Sequence, residues 1–183
     1  MSPSLTPLIE PTDTTAQLLS ARKALTSVLQ NAILPKLAMS LRQLEINPGN
    51  QQRIELFTEV MDWNGWFDGD TFSAVLEGEF FPQWLDVLYD WLHQPGVVLQ
   101  EVLNWVEGWR SLFVTTVLEN PFIVMQFNRG WDVINEVLGG GGKEGGKMRI
   151  DPSYYRKPTN YRHVIQNRMY QMKADQMREV GEE

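Results

Sequence analysis

Residues 80–109 carry the strongest pattern in the chain. Phe81, Trp84, Leu85, Leu88, Trp91 and Leu92 recur at steps of three and four, which marks one face of an α-helix. Gln94-Pro95-Gly96 breaks the run. Beyond it Leu99, Val102, Leu103, Val106, Trp109 and Phe113 repeat the period, and Trp105 widens the face. Helices joined by so short a connector pack back to back. Trp84, Trp91, Trp105 and Trp109 are therefore assigned to a shared core, each indole removing roughly 150–250 Å² of side chain from water.

Weaker runs flank this pair. A capping signal at Asp13 or Thr14 starts a helix through Leu18, Leu25, Val28, Leu29, Ala32 and Ile33. Pro35 has no amide hydrogen and kinks or restarts that helix before Leu37, Leu41 and Leu44. After the turn Asn47-Pro48-Gly49-Asn50, residues 51–63 set Ile54, Phe57, Val60 and Met61 on one face. Asp70 or Thr71 then caps a helix through Phe72, Val75 and Leu76. Pro82 suits either the first turn of the Trp84 helix or a bend in one longer helix. Asn120-Pro121 opens a last face containing Phe127, Val133, Ile134, Val137 and Leu138.

No alternating strand pattern of useful length occurs, so the chain reads as all-α, an antiparallel helical bundle or short α-solenoid. Residues 1–12 read as a disordered head, 13–138 as a helical scaffold domain, 139–160 as a Gly-rich and basic linker, and 161–183 as a C-terminal polar helix. Val164, Ile165, Arg168, Met169, Met172 and Met177 of that last helix need a partner surface.

Charge divides the chain in two. Residues 1–138 hold seven Lys and Arg against seventeen Asp and Glu, a balance of −10, whereas residues 139–183 hold nine against six, a balance of +3. An acidic body is a poor nucleic-acid platform, because phosphate binding draws on cations, so any RNA contact is expected in the tail. There Lys147, Arg149, Tyr154, Tyr155, Arg156, Lys157, Tyr161 and Arg162 interleave cations with aromatics, the mixture that tracks a backbone and stacks on bases. An ordinary disordered segment has the same composition and is the preferred reading. The absence of Cys excludes disulfides and thiolate metal sites and agrees with a reducing compartment. With no apolar leader and no long apolar run, a soluble, non-secreted protein is expected.

Little else suggests chemistry. Gly141, Gly146 and Lys147 have phosphate-loop spacing, but Met148 stands where Ser or Thr would bind magnesium and a helix precedes instead of a strand. Asp62, Asn64, Asp68 and Asp70 hint at a calcium loop, yet Phe67 replaces the sixth-position Gly and Ser73 the twelfth-position Glu. His93 and His163 are the only histidines, and His93 suits a helix C-terminus. The pairs Glu77 with Glu79 and Asp86 with Asp90 read as a solvated helix face. No enzyme activity, cofactor, metal or small-molecule substrate is expected. Trp66-Phe67, in a turn between Gly65 and Gly69, is the candidate partner-binding anchor, although burial in the core is the preferred reading.

Several short words are specific enough to name a family. Ile33-Leu34-Pro35-Lys36-Leu37, Ile46-Asn47-Pro48 with Gln51-Gln52, Met61-Asp62-Trp63, the run from Phe80 through Leu88 with Trp91-Leu92, and Trp105-Val106-Glu107-Gly108-Trp109-Arg110 follow one another in order. Across residues 32–138 the chain resembles the tuftelin-interacting protein family of nineteen-complex-related G-patch splicing factors, in the domain named for a GC-rich-sequence DNA-binding factor. Gln83 stands where Lys is usual, Val106 where Tyr is common, and the glycine linker is longer.

The resemblance implies a nuclear, non-catalytic spliceosome component that acts when the excised intron-lariat complex is dismantled. Its implied partners are late-stage, helicase-associated spliceosomal proteins. Family members recruit a DEAH-box RNA helicase through an N-terminal G-patch, which has no counterpart here, so a fragment or shortened homologue with a docking role is expected. The alternative is a direct nucleic-acid-binding, transcription-factor-like domain.

Overall fold

The computed structural model describes residues 11–139 and 160–181, which are helical with no strand among them. Residues 1–10 of the expected disordered head and most of the Gly-rich and basic linker expected over residues 139–160 lie outside the described residues. Two compact units divide the chain, residues 1–36 and 37–183.

The first unit holds helix α1 (Pro11–Val28), which begins slightly before the expected cap, followed by a π-helical turn (Leu29–Ile33) and the start of α2 (Leu34–Gln43). Leu18, Leu25 and Val28, expected on a buried face, are exposed. Their spacing is helical, but the burial that it suggests is not seen at these positions.

The second unit carries the core. Helices α3 (Glu55–Met61), α4 (Gly69–Val75), α5 (Phe81–Leu92), α6 (Leu99–Arg110), α7 (Thr115–Leu118), α8 (Pro121–Leu138) and α9 (Tyr161–Gly181) follow in order. A π-helical turn (Leu76–Phe80) joins α4 to α5 without a break. That turn settles the two readings of Pro82. Proline cannot donate to the carbonyl four residues back, and the ladder ahead of it shifts to five-residue spacing, the Phe81 amide bonding the Leu76 carbonyl. Pro35 lies in the same relation to the first π-turn, where the Leu34 amide bonds the Leu29 carbonyl. The Gln83 side-chain amide takes up the Glu79 carbonyl at 2.5 Å and reaches the Leu41 carbonyl at 3.1 Å, joining the turn to α2.

Aromatic rings fill the centre. Phe57, Phe80, Phe81, Trp84, Trp109, Phe113 and Phe127 are buried and meet edge to face or tilted, at centroid separations of 4.8–6.0 Å. Trp84 stacks flat on Trp105 at 5.5 Å, and Trp91 meets Trp105 edge-on at 5.8 Å. The indoles therefore contact one another, as the periodicity requires, although Trp91 and Trp105 remain half-buried. Gly130 lets α8 approach this layer, since a Cβ there would lie 2.8 Å from the Trp84 ring.

Two local readings are corrected. Ile54 is exposed because it caps α3 instead of lying within it. The cap of α4 is Asp68, two residues earlier than expected, and its carboxylate accepts from the Thr71 amide at 2.8 Å. Asn120 caps α8 by accepting from the Phe122 amide, with Pro121 at the first helical position as anticipated.

Candidate interaction surfaces

Three features of the second unit are candidate sites: the docked start of α9, the turn at Trp66, and a cleft beside Trp91.

The start of α9 rests on the π-turn. Gly78 leaves no room for a side chain there, because a Cβ would run into the Tyr161 amide nitrogen and lie 2.7 Å from the Asn160 carbonyl carbon. The next residue, Glu79, has a side chain only 4% exposed. Its Oε1 accepts from the Tyr161 amide at 3.0 Å, and the Arg42 fork donates from Nε to Oε2 at 2.6 Å and from Nη2 to Oε1 at 2.8 Å. A carboxylate thus sits on the positive end of α9, where free amides and the helix dipole favour an anion. The hydrogen bond to Glu79 holds the Arg42 guanidinium above its ordinary value, against the burial that lowers it.

Two turns on, Arg168 completes the attachment. It donates to the Asp70 carbonyl at 2.8 Å, to the Ser73 hydroxyl at 3.1 Å and to the Glu77 carboxylate at 2.5 Å. Its guanidinium lies 3.4 Å above the centre of the Phe122 ring. Glu77 and Glu79 are therefore anchors for cations from other helices, not the solvated face that their spacing suggested. Of the tail residues expected to need a surface, Val164 is buried and Ile165 and Arg168 are half-buried, whereas Met169, Met172 and Met177 are exposed. A cleft of about 330 Å³ lies along this boundary, lined by Phe122, Ile165, Met169 and Met172.

Docking of α9 bears on the RNA candidates. Lys147, Arg149, Tyr154, Tyr155, Arg156 and Lys157 lie outside the described residues. Tyr161 is 5% exposed at the start of the docked helix, so its ring offers a base little open face. The sequence pattern predicts a helix from residue 161 that needs a partner surface, but composition alone does not show that the Tyr161 ring is buried against it. Arg162 is exposed and donates to the Tyr161 hydroxyl at 3.2 Å.

The candidate anchor Trp66 is 59% exposed, and Phe67 is half-buried, stacked on Phe72 at 6.4 Å. The short 3₁₀ turn Asn64–Trp66 is held at both ends. The Trp66 amide bonds the Trp63 carbonyl at 3.0 Å, and the Asn64 side chain donates to the Thr116 hydroxyl at 2.9 Å. Behind it stands the half-buried Trp63 ring, 6.2 Å away. Asp68 follows directly; burial pushes its carboxyl up, but hydrogen bonds from the Thr71 amide and hydroxyl outweigh this and hold it below its ordinary value.

On another face, Ile46, Pro48, Val87, Trp91, Glu101 and Trp105 line an open cleft of about 780 Å³. At the end of α5 the His93 ring stacks on Tyr89 at 4.3 Å, with Nδ1 2.7 Å from the Tyr89 carbonyl. No group of three acidic or histidine side chains among the described residues is placed to hold a metal ion, and no described helix is long and apolar enough to cross a membrane.

Residues 14–88 match the family described as GC-rich sequence DNA-binding factor-like protein. Similar proteins include tuftelin-interacting protein 11 of Xenopus tropicalis, 41% identical over 107 residues, covering 58% of this chain and 13% of that protein. The Gallus gallus protein of the same name is 35% identical over 151 residues, covering 82% of this chain and 17% of the relative. The Mus musculus protein is 40% identical over 107 residues, covering 58% and 12%. The chain thus spans less than a fifth of the length of these curated relatives.

Proposed function

Because residues 14–88 carry the GC-rich sequence DNA-binding factor-like domain in the form shared with the tuftelin-interacting protein family, we propose that this chain is a non-catalytic docking module of the spliceosome. In this reading it works in the nucleus during disassembly of the intron-lariat complex, alongside a DEAH-box RNA helicase, by holding late-stage spliceosomal proteins. The observation that carries the reading is Trp66, an exposed indole on a turn pinned to Thr116 and backed by the Trp63 ring. Exposed Trp on a rigid support is the residue that most often dominates protein interfaces, because little side-chain entropy is lost when a partner covers it.

The second reading is direct nucleic-acid binding through residues 147–162. It draws on the positive balance of that end of the chain, and burial of Tyr161 removes one of its stacking rings. Affinity capture of the tagged chain from nuclear extract, compared with Trp66→Ala, separates the two. The docking reading expects late-stage splicing proteins with the wild-type chain and their loss with the variant. Capture of none of them, or capture abolished by ribonuclease, contradicts it.

A further inference from the structure

Between Arg53 and Arg110 the chain contains eleven Asp and Glu and no Lys or Arg. The fold brings in cations for the two acids that it buries or half-buries at the π-turn: Arg42 for Glu79 and Arg168 for Glu77. Among the described residues no ion pair forms at the turn at Trp66. Asp62 is exposed and has no ion pair among the described residues, and Asp68 is exposed with its carboxylate spent on the α4 cap amide, where it is stabilised in the charged form. Trp66 stands between these two acids in sequence, its indole open to solvent and backed by Trp63. Val114, two residues before the Thr116 hydroxyl that pins the turn, is exposed as well.

An open indole face attracts a cation through the ring quadrupole, and a neighbouring carboxylate supplies the counter-charge. A guanidinium satisfies both at once, because it stacks flat on an aromatic ring while its edge donates to a carboxylate. Elsewhere this protein uses the same pairing on itself: Arg168 lies on the Phe122 ring and donates to Glu77. We propose that the Trp63–Trp66 turn is a receptor for an arginine-bearing segment of a protein partner, with one guanidinium seated on the Trp66 indole and donating to Asp62. This rests on the reading of the chain as a docking module and adds the chemistry of what docks. Nucleic acid suits such a surface poorly, since phosphates would meet the carboxylates of Asp62 and Asp68, which have no ion-pair partner among the described residues.

The test uses the full chain and a fluorescein-labelled peptide of four Arg-Gly repeats, read by anisotropy at low salt. A citrulline-Gly peptide of the same length is the control, because citrulline keeps the shape and loses the charge. An acidic protein attracts any arginine peptide weakly, so the discriminating arm is the indole. Trp66→Ala is expected to weaken binding about three- to tenfold and Asp62→Asn about threefold, with Asp132→Asn, an exposed acid of α8, unchanged. Equal binding of the citrulline peptide, or arginine-peptide binding indifferent to Trp66→Ala, overturns the proposal. So does a twelve-nucleotide oligouridine whose binding is lost on Trp66→Ala. If Trp66→Ala still loses its splicing proteins from extract while the arginine peptide ignores the substitution, the cation inference fails and the docking reading stands. If the extract proteins are retained as well, both fail.

Discussion

Gly78→Ala tests whether α9 is held by a contact that admits no side chain. The added methyl meets backbone, not a flexible side-chain end, with the Asn160 carbonyl carbon and the Tyr161 Cα both at 2.7 Å. Backbone at the start of a helix cannot rotate aside, so the helix must lift. Lifting it exposes Tyr161 and Val164, each worth about 1.5–3 kcal/mol of burial. It also breaks the Tyr161 hydrogen bond to Glu79 and loosens the Arg168 contacts. Alanine returns about 1 kcal/mol of helix propensity at position 78, leaving a net loss on the order of 4 kcal/mol for the docked state, or roughly a thousandfold in its opening equilibrium. Hydrogen–deuterium exchange reads this directly. The amides of residues 164–168 should exchange about three orders of magnitude faster in the variant, with those of α5 and α8 little changed. Equal protection of 164–168 in both proteins would refute the reasoning.

Other consequences follow from single contacts. Gly130→Ala presses a Cβ to 2.8 Å from a Trp84 ring that is itself stacked on Trp105, so overpacking of about 1–3 kcal/mol should outweigh the helix-propensity gain. Gly108→Ala, with nothing within 4 Å of its Cβ, should stabilise by about 0.5–1 kcal/mol, and equal shifts of the two in urea unfolding would contradict this. Glu79→Leu leaves the half-exposed Arg42 hydrated but strands the Tyr161 amide, and should cost about 1–3 kcal/mol; an unchanged urea midpoint counts against the anchor. Asp68 has a folded-state carboxyl below its ordinary 3.8, so its stabilisation is full above that value and is lost as pH falls through the lowered one. Asp68→Asn should flatten that acid-side loss while changing stability at neutral pH by only a few tenths of a kcal/mol, as melting across pH 2–7 will show.

The all-α class and the aromatic centre were legible because they are periodic. Trp84, Trp109, Phe81 and Leu88 lie where a 3.6-residue repeat puts them, and the Asn120-Pro121 start is a local signal that the fold obeys. What periodicity cannot read is a contact between distant segments. Gly78 and Glu79 look like an ordinary interruption and an ordinary surface acid; their meaning depends on Tyr161 and Arg42, 83 and 37 residues away in sequence. A glycine inside a strongly helical run, beside a glutamate on its apolar side, was the available clue. The same blindness made Leu18 and Val28 look buried and Tyr161 look free. At Pro82 the two readings merged, because a π-turn lets one continuous helix carry a first-turn proline.

Photo-crosslinking from position 66 bears most directly on the idea that this chain mounts proteins instead of binding nucleic acid. Trp66 is replaced by benzoyl-phenylalanine, which keeps an aromatic ring on the exposed turn, and the full chain is irradiated in nuclear extract. The account predicts adducts that survive ribonuclease, disappear with protease and contain splicing proteins. Ribonuclease-sensitive adducts, or none above those formed from position 108, would contradict it.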